Sequence, residues 1–339
     1  MIRSRPTAPE DLPALDELFR ARFGHPLTPE EWEWKYRRLP GEARSRVALD
    51  EAGRVLAHAG ALRFPARLAP GSTPGPAPDT APTSADGIWQ LTDWVASAAG
   101  AGLRPPLVGL GRGLLADLPR PGDAPWIFGF PSARHFRLGQ RVFGYRPLPA
   151  IMPLQGPILS IPPILSAEPP AAGALVEVGD RCGDWAEAAW ESCGVRGVRR
   201  SVAFLNWRYH ARPDRYYRVY RLRPTGAGDA ARDGLAVFAF VGSLARGTEL
   251  WLPPDAGGGG AWRAPLEAVA ADLRAAGLER WELWPPPPGS AYVSELAELG
   301  LAPSGEPIVM GCRGRQGSLS GPSPADPGFY YSMGDYDLA

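Results

Sequence analysis

The sequence predicts an α/β protein with a mixed central sheet, helices on both faces, and two similar domains in tandem. Short apolar strands alternate with helical patterns through most of the 339 residues, an order typical of helices layered on a sheet. Trp34-Lys35-Tyr36 is followed by Pro40, and Trp207-Arg208-Tyr209 is followed by Pro213 at the same spacing. Because both copies precede a strand, a glycine-containing turn and a second strand, we interpret them as a duplication.

The first half begins with two predicted helices. Thr7-x-x-Glu10 has the spacing of a capping box, and apolar residues then recur at helical spacing, which predicts a helix over 8–22. Thr28-Pro29 begins a second helix that runs through Arg38. Alternating apolar runs and turn residues predict the other elements. These are strands at 46–49, 55–64, 88–96, 126–130 and 145–148, and helices at 105–118 and 132–143.

The second half repeats this series after a proline-rich segment. Phe143-Gly144-Tyr145-Arg146-Pro147 follows a predicted helix, as does Leu299-Gly300-Leu301-Ala302-Pro303. The elements predicted for the second half are helices at 183–193, 262–276 and 289–299, and strands at 234–243, 248–252, 280–284 and 306–312. We therefore predict a first domain at 1–150 with an exposed loop at 69–87, a linker at 151–175, a second domain at 176–313, and a linker and docked tail at 314–339.

The composition excludes several classes of protein. The 36 basic and 36 acidic side chains cancel, which disfavours a generally basic nucleic-acid binder. No run of 18 apolar residues is present, and the N-terminus lacks a secretory apolar segment. Three scattered cysteines suit neither a disulfide framework nor a zinc site, so we predict no metal, buried free thiols and a cytoplasmic location. Oligomeric state stays open.

Several segments occur in an order that resembles a known family. They are Arg5-Pro6-Thr7-Ala8-Pro9-Glu10-Asp11-Leu12, Trp34-Lys35-Tyr36, and Gly129-Phe130-Pro131-Ser132 before a helix that ends at Leu138-Gly139 and Phe143-Gly144-Tyr145. In this order the chain resembles the GNAT superfamily of acyl-CoA-dependent N-acetyltransferases, and more narrowly the bacterial proteins with two tandem GNAT-like domains. The resemblance implies an enzyme that moves an acetyl group from acetyl-CoA to an amine-bearing acceptor.

The resemblance also implies a place for acetyl-CoA. The family holds the pyrophosphate on a glycine-containing loop before the third helix, where backbone N–H groups and the helix N-terminus favour an anion. Ser97-Ala98-Ala99-Gly100-Ala101-Gly102 stands at that place, and Arg104 is close enough to supply a cation. Gly109–Gly113 is a second possible loop, but it falls inside a helical pattern. The predicted cofactor-binding residues are Trp94, Val95, Ala96, Gly100, Ala101, Gly102, Leu103, Arg104 and Ser132.

Catalytic candidates are fewer. Asp93 on the predicted fourth strand is the first candidate for a base, because a carboxylate in an apolar cleft has a raised pKa. His135 is the second, because imidazole titrates near neutrality. The family's usual general-acid tyrosine is replaced by Gln140. Some tandem GNAT proteins place C-terminal groups in the first site, which makes Asp335 a third candidate, with plain docking of the tail as the alternative.

Other features leave alternatives open. Gly257 to Gly260 lack the spacing and the following cation of a phosphate loop, so we predict a degenerate second domain. The missing tyrosine supports a non-catalytic acyl-CoA-binding or partner-binding protein. Residues 196–223 interleave arginines with aromatic residues, a pattern that can grip nucleic acid. An aminoacyl-tRNA-dependent transferase is therefore a further alternative, although nucleic acid is otherwise not expected as a partner.

Overall fold

A computed structural model gives the structure of the protein. It describes residues 2–67, 87–97, 104–118, 126–158, 175–177, 179–224, 233–254, 260–286, 290, 292–314 and 329–335. Most of the loop predicted at 69–87 therefore lies outside the described residues. The chain divides into two compact units: the first holds Met1–Ala66, Pro74–Pro149 and Val309–Ala325, and the second holds Arg67–Thr73, Ala150–Ile308 and Asp326–Ala339.

The first unit is built on a mixed sheet. Its strands, in chain order, are β1 (Arg3–Pro6), β2 (Glu42–Leu49), β3 (Val55–Arg67), β4 (Gly87–Ala96), β5 (Trp126–Gly129), β6 (Arg146–Pro147) and β15 (Gly311–Arg313). Their order across the sheet is β1-β2-β3-β4-β5-β15-β6. β1 to β4 pair antiparallel, β5 runs parallel to β4, and β15 is antiparallel to both β5 and β6.

Local hydrogen bonds explain where the first two helices of the first unit begin. The helices of this unit are α1 (Leu12–Phe23), α2 (Pro29–Tyr36), α3 (Arg104–Asp117) and α4 (Ala133–Phe143). Thr28 caps α2 by accepting the backbone N–H of Glu31. The predicted capping box at Thr7 is wrong by one residue: the Asp11 carboxylate accepts the Ala8 N–H, and a 3₁₀ turn over Pro9–Asp11 precedes α1. Asp11 also forms an ion pair with Arg5.

Small residues let α3 pack closely on the sheet. Alanines at 48, 57, 59 and 61 form a flat buried face beside Trp89, and α3 covers this face with Leu110 and Leu114. Alternation along β2 and β3 places these alanines on one side of the sheet. The core therefore holds α3 close to the strands that carry the candidate site.

The second unit repeats the series of sheet strands and helices of the first. The strands of its sheet are β7 (Leu154–Pro157), β8 (Leu175–Glu177), β10 (Tyr217–Leu222), β11 (Gly234–Val241), β12 (Leu244–Trp251), β13 (Arg280–Leu283) and β14 (Ala302–Pro303). Their order is β8-β10-β11-β12-β13-β7-β14, with β12 parallel to β13. A further strand, β9 (Arg196–Val198), pairs parallel with β16 (Phe329–Tyr330). The helices are α5 (Asp184–Ser192), α6 (Val202–Leu205, continued by a π turn over Asn206–His210), α7 (Arg263–Ala275) and α8 (Val293–Glu298). The matching strand order agrees with a duplication.

The two sheets exchange one strand each. After β6 the chain supplies β7, which pairs with β13 and β14 in the second sheet. After β14 the chain supplies β15, which lies between β5 and β6 in the first sheet. The structure thus differs from the linear division at 151–175: part of that segment is a strand of the second unit, and residues 311–313 belong to the first.

Candidate functional site

The candidate site lies where β4 and β5 separate. Their parallel pairing runs from Ile88 with Trp126 to Leu91 with Gly129. Among the described residues, no pair between these strands follows Leu91, although β4 continues to Ala96. The strand ends therefore enclose an opening in the sheet whose sides are backbone.

A β-bulge in β4 lies immediately beyond the last of these pairs. On the β3 side, Gly60 pairs with Thr92 and His58 pairs with Val95, so two residues of β4 face one residue of β3. Asp93 is the one non-glycine residue of the described chain with positive φ, at 53°. Aspartate tolerates this left-handed conformation better than most residues, and a bulge re-aims the groups that follow it.

The Asp93 carboxylate is held by two residues of α2. Lys35 Nζ lies 2.8 Å from Oδ1, and the Tyr36 hydroxyl donates to Oδ2 at 2.5 Å. The side chains of Lys35 and Asp93 are 5% and 7% exposed. Gly60 makes room for the phenol, because a Cβ there would lie 2.1 Å from the Tyr36 oxygen. Helix α2 and the bulge are thus joined by a buried, charge-assisted contact.

His58 holds the same bulge from β3. Its Nδ1 donates to the main-chain carbonyl of Asp93 at 3.1 Å. The ring is fully buried, with the rings of Phe19, Trp32 and Tyr36 at 6.0 to 6.1 Å. Burial lowers the His58 pKa to about 4, and the nearby Lys35 charge acts in the same direction. His58 is therefore a neutral donor at neutral pH.

Beyond the bulge, Ala96 turns its backbone toward the opening. The Ser97 N–H donates to Leu56 on β3, so by strand alternation the peptide groups of Ala96 point away from β3. The Ala96 carbonyl accepts Arg22 Nε from α1 at 2.6 Å. This leaves the Ala96 N–H directed to the side of the sheet where β5 lies.

Two further residues predicted for the site flank the same opening. The Trp94 ring packs on Phe143 of α4 at 5.6 Å and lies against Gly111 of α3. Ser132 is exposed and caps α4 by accepting the N–H of His135 at 3.4 Å. The half-buried His135 has a lowered pKa, because of burial first and the Arg134 charge second.

The other predicted residues divide into three groups. Gly100, Ala101, Gly102 and Leu103 lie outside the described residues, and Arg104 is described only as the first residue of α3. Val95 is buried beside the bulge. Asp335 belongs to the second unit, where its carboxylate is bonded to Arg200. The second possible glycine loop, at 109–113, is part of α3.

The basic aromatic stretch of the second unit is mostly interior. Trp207, Tyr209, Tyr217 and Tyr220 are buried. The buried arginines at 200, 208 and 212 are bonded to carboxylate, carbonyl or hydroxyl oxygens. A nucleic-acid surface needs exposed cations and rings, so these buried residues give no support to the tRNA alternative.

Three residues of the site were not predicted to be functional: Lys35, Tyr36 and His58. Lys35 is the only lysine in a chain with 35 arginines. This exception to the composition indicates a residue with a specific role. Tyr36 was part of the repeat motif, so its recurrence as Tyr209 was visible too. His58 had no signal, because strand periodicity does not show that a neighbouring strand bulges.

Searches against known proteins give matches in structure only. No protein-family profile matches the chain, and no curated protein matches it significantly. The chain is similar to a conserved protein of Enterococcus faecalis V583, a probable N-acyltransferase, with 12% identity, TM-score 0.62, and coverage of 92% of this chain and 72% of that one. A GCN5-related N-acetyltransferase from Kribbella flavida gives 13% identity, TM-score 0.61, and the same 92% and 72%.

A tandem GNAT protein from the clavulanic acid biosynthesis pathway matches over its whole length. It shows 14% identity and a TM-score of 0.57, with coverage of 94% of this chain and 100% of that one. The chain therefore has the tandem GNAT fold, as its sequence motifs predicted. At these identities the similarity shows the fold alone.

Within the described ranges, no group of three or more His, Cys, Asp or Glu is placed to hold a metal ion. No described helix is both long enough and apolar enough to cross a membrane.

Proposed function

We propose that the protein is an N-acyltransferase, and that its first unit moves an acetyl group from acetyl-CoA to an amine by direct attack. The observation that carries this proposal is the bulge at Asp93. It lies where β4 and β5 separate, and it is held by Lys35, Tyr36 and His58. Backbone N–H groups fixed in this way stabilise a developing oxyanion without further reorganisation.

The residues around the opening fit an acyl-CoA. The space between β4 and β5 gives an extended chain two backbone edges to lie against. The N-terminus of α3 favours the pyrophosphate, and Gly100 to Arg104 would hold it there. Ser132 and the amides of Trp94 to Ala96 would hold the part of the acyl-CoA nearer the thioester. When bound, acetyl-CoA supplies the acyl group.

The hydrogen bonds divide the acid–base roles. Both carboxylate oxygens of Asp93 are engaged by α2, so we assign Asp93 to positioning of the bulge rather than to free proton transfer. His135, half-buried in the first turn of α4 beside Ser132, is then the remaining candidate of the first unit for a base, and its lowered pKa favours the neutral imidazole that can accept a proton. Positioning of the amine beside the thioester supplies the rest of the acceleration.

A non-catalytic acyl-CoA-binding protein is the second candidate. The observation that favours it is Gln140, which is exposed on α4 where the family places its general acid. Both candidates bind acetyl-CoA, and turnover with an amine separates them. We infer a small, amine-bearing acceptor for the first candidate.

Calorimetric titration with acetyl-CoA tests the proposal. We expect micromolar binding by the wild type, and loss of binding in a Gly100→Val/Gly102→Val variant, because a Cβ holds the pyrophosphate away from the backbone. The matched control is Gly257→Val/Gly259→Val in the glycine run of the second unit, which should bind like the wild type. Absence of binding by the wild type would contradict the proposal. Equal binding by the wild type and the first variant would contradict the assignment of residues 97–102 as the pyrophosphate loop.

A further inference from the structure

The second unit has the same bulge and the same opening as the first. On β12, Gly247 pairs with Phe238 and Glu249 pairs with Val237, so Thr248 is the extra residue. The parallel pairing of β12 with β13 ends at Gly247 and Leu283. Counted from the last parallel pair, Leu250 is the counterpart of Trp94, which with Ala96 lies on the stretch of β4 that passes the opening in the first unit.

In the second unit, this position is taken by the C-terminal tail. The Leu250 N–H donates to the Tyr330 hydroxyl at 3.4 Å, and the same hydroxyl donates to the Leu250 carbonyl at 3.2 Å. Tyr292 of the second unit also donates to that carbonyl, at 3.3 Å. A tyrosine oxygen of the tail thus binds the amide where an acyl oxygen would be held.

A buried arginine anchors the tail beside the bulge. Arg200 Nε lies 2.8 Å from Glu249, and its Nη2 lies 2.8 Å from both Ser332 and Asp335. All four residues are buried. The rings of Trp190, Phe204 and Tyr330 surround the guanidinium at 5.0 to 5.7 Å. A buried charge is retained only with such partners, so Ser332 and Asp335 of the tail have matched places on Arg200.

The tail also fits the bulge sterically. A Cβ at Gly334 would lie 2.1 Å from the Tyr209 hydroxyl and 2.5 Å from Glu249. The Gly334 carbonyl accepts Arg208 Nε at 3.0 Å. Tyr209 donates to Glu249 at 2.8 Å, which corresponds to the Tyr36 contact with Asp93. The tail therefore covers Tyr209 and Glu249, the pair that corresponds to Tyr36 and Asp93 of the first unit.

We propose that residues 329–335 are a built-in ligand of the second unit, which fill its acyl site with Tyr330 and leave the chain with one working site. The identity of that position as an acyl site rests on the proposed function. The recognised chemistry is a short peptide with a buried tyrosine, followed by a serine and an aspartate that share one arginine.

Hydrogen exchange on the full chain tests this assignment without acetyl-CoA. We compare the wild type with Tyr330→Phe and Asp335→Asn, and use Tyr216→Phe, at a tyrosine that is 64% exposed, as the matched control. Both tail variants should speed exchange at least ten-fold in peptides covering 329–335 and also 247–252, with peptide 55–62 of the first unit unchanged. Tyr330→Phe removes one oxygen atom, so it remains informative if Asp335→Asn does not fold.

Two results would overturn the assignment. One is faster exchange in the tail with no change in the peptide 247–252. That result would indicate that the tail is attached away from the bulge. The other is binding of two acetyl-CoA molecules per wild-type chain. Failure of the proposed function gives a different result, namely no acetyl-CoA binding together with the coupled exchange of the tail and β12.

Discussion

At the residue scale, the lysine of the first unit and its counterpart in the second make different contacts. Lys35 is a compact point charge, and it reaches a carboxylate inside the bulge. Arg208, at the same place in the repeat, donates through Nε to the Gly334 carbonyl of the tail. Because an ammonium and a guanidinium differ in shape and in the direction of their donors, the same position of the repeat contacts a bulge carboxylate in one unit and a tail carbonyl in the other.

His58 gives a prediction for the dependence of stability on pH. The His58 pKa is about 4 in the folded protein, whereas an ordinary histidine, as in the unfolded chain, has a pKa of 6.5. Between these pH values the unfolded chain therefore binds more protons than the folded chain. The free energy of unfolding should therefore fall as the pH drops from 6.5 to 4, by about 3 kcal/mol from this residue. Urea unfolding at several pH values measures the change.

The matched variant for this prediction is His58→Gln. Glutamine keeps an N–H donor for the Asp93 carbonyl and has no titration in this range. The difference in unfolding free energy between wild type and variant should narrow on acidification, since the other titrating groups are common to both. A difference that stays constant from pH 7 to pH 4.5 would show that His58 is not held neutral.

At the element scale, α3 contains three glycines, and two of them, Gly109 and Gly111, differ in packing in a way that the sequence pattern does not show. A Cβ at Gly109 would meet nothing within 4 Å, whereas a Cβ at Gly111 would lie 2.4 Å from Phe143 and 2.6 Å from Trp94. Gly109→Ala should stabilise the protein by about 0.5–1 kcal/mol through helix propensity. Gly111→Ala should destabilise it by about 1–3 kcal/mol through overpacking.

Denaturant unfolding of these two variants measures both effects in one helix. Gly111→Ala should in addition weaken acetyl-CoA binding, because Trp94 belongs to the bulge and must move. Gly109→Ala should bind acetyl-CoA like the wild type. That result would also argue against Gly109–Gly113 as the cofactor loop. Equal destabilisation by the two substitutions would contradict the packing of Trp94 between α3 and α4.

The sequence predicted most elements of the first unit from local rules. Apolar periodicity placed α1, and the Thr28-Pro29 start signature placed α2, within a few residues of their observed ends; the helix predicted at 132–143 matches α4. The bulge was not visible, because a left-handed residue such as Asp93 leaves no mark on an alternating strand. The phosphate loop, at residues 97–102, remains a prediction.

At the scale of the whole molecule, the chain repeats one fold and exchanges one strand between its copies. The sequence predicted the repeat, because Trp34-Lys35-Tyr36 and Trp207-Arg208-Tyr209 are similar in residues and spacing. It did not predict the exchange, because a strand of three or four residues carries no information about its partner. β7 and β15 are placed by pairing with strands more than 100 residues away in sequence.

This exchange predicts how the chain behaves when it is cut between its halves. A fragment of residues 1–165 lacks β15, and a fragment of residues 166–339 lacks β7, so each sheet would lose the strand between two others. Each fragment alone exposes unpaired edges that cost stability and favour aggregation. Co-expressed, the two fragments should form a soluble complex with a cooperative thermal transition, measured by circular dichroism.

The control for this experiment removes one exchanged strand. Residues 1–150 co-expressed with 166–339 lack β7 altogether, so the second sheet has a gap between β13 and β14 that no other segment fills. This pair should give a complex of lower thermal stability, or none. If residues 1–150 alone unfold cooperatively at the same temperature as the intact chain, β15 is dispensable. The first unit would then be a self-sufficient domain, because its sheet could close without the strand that follows the second unit.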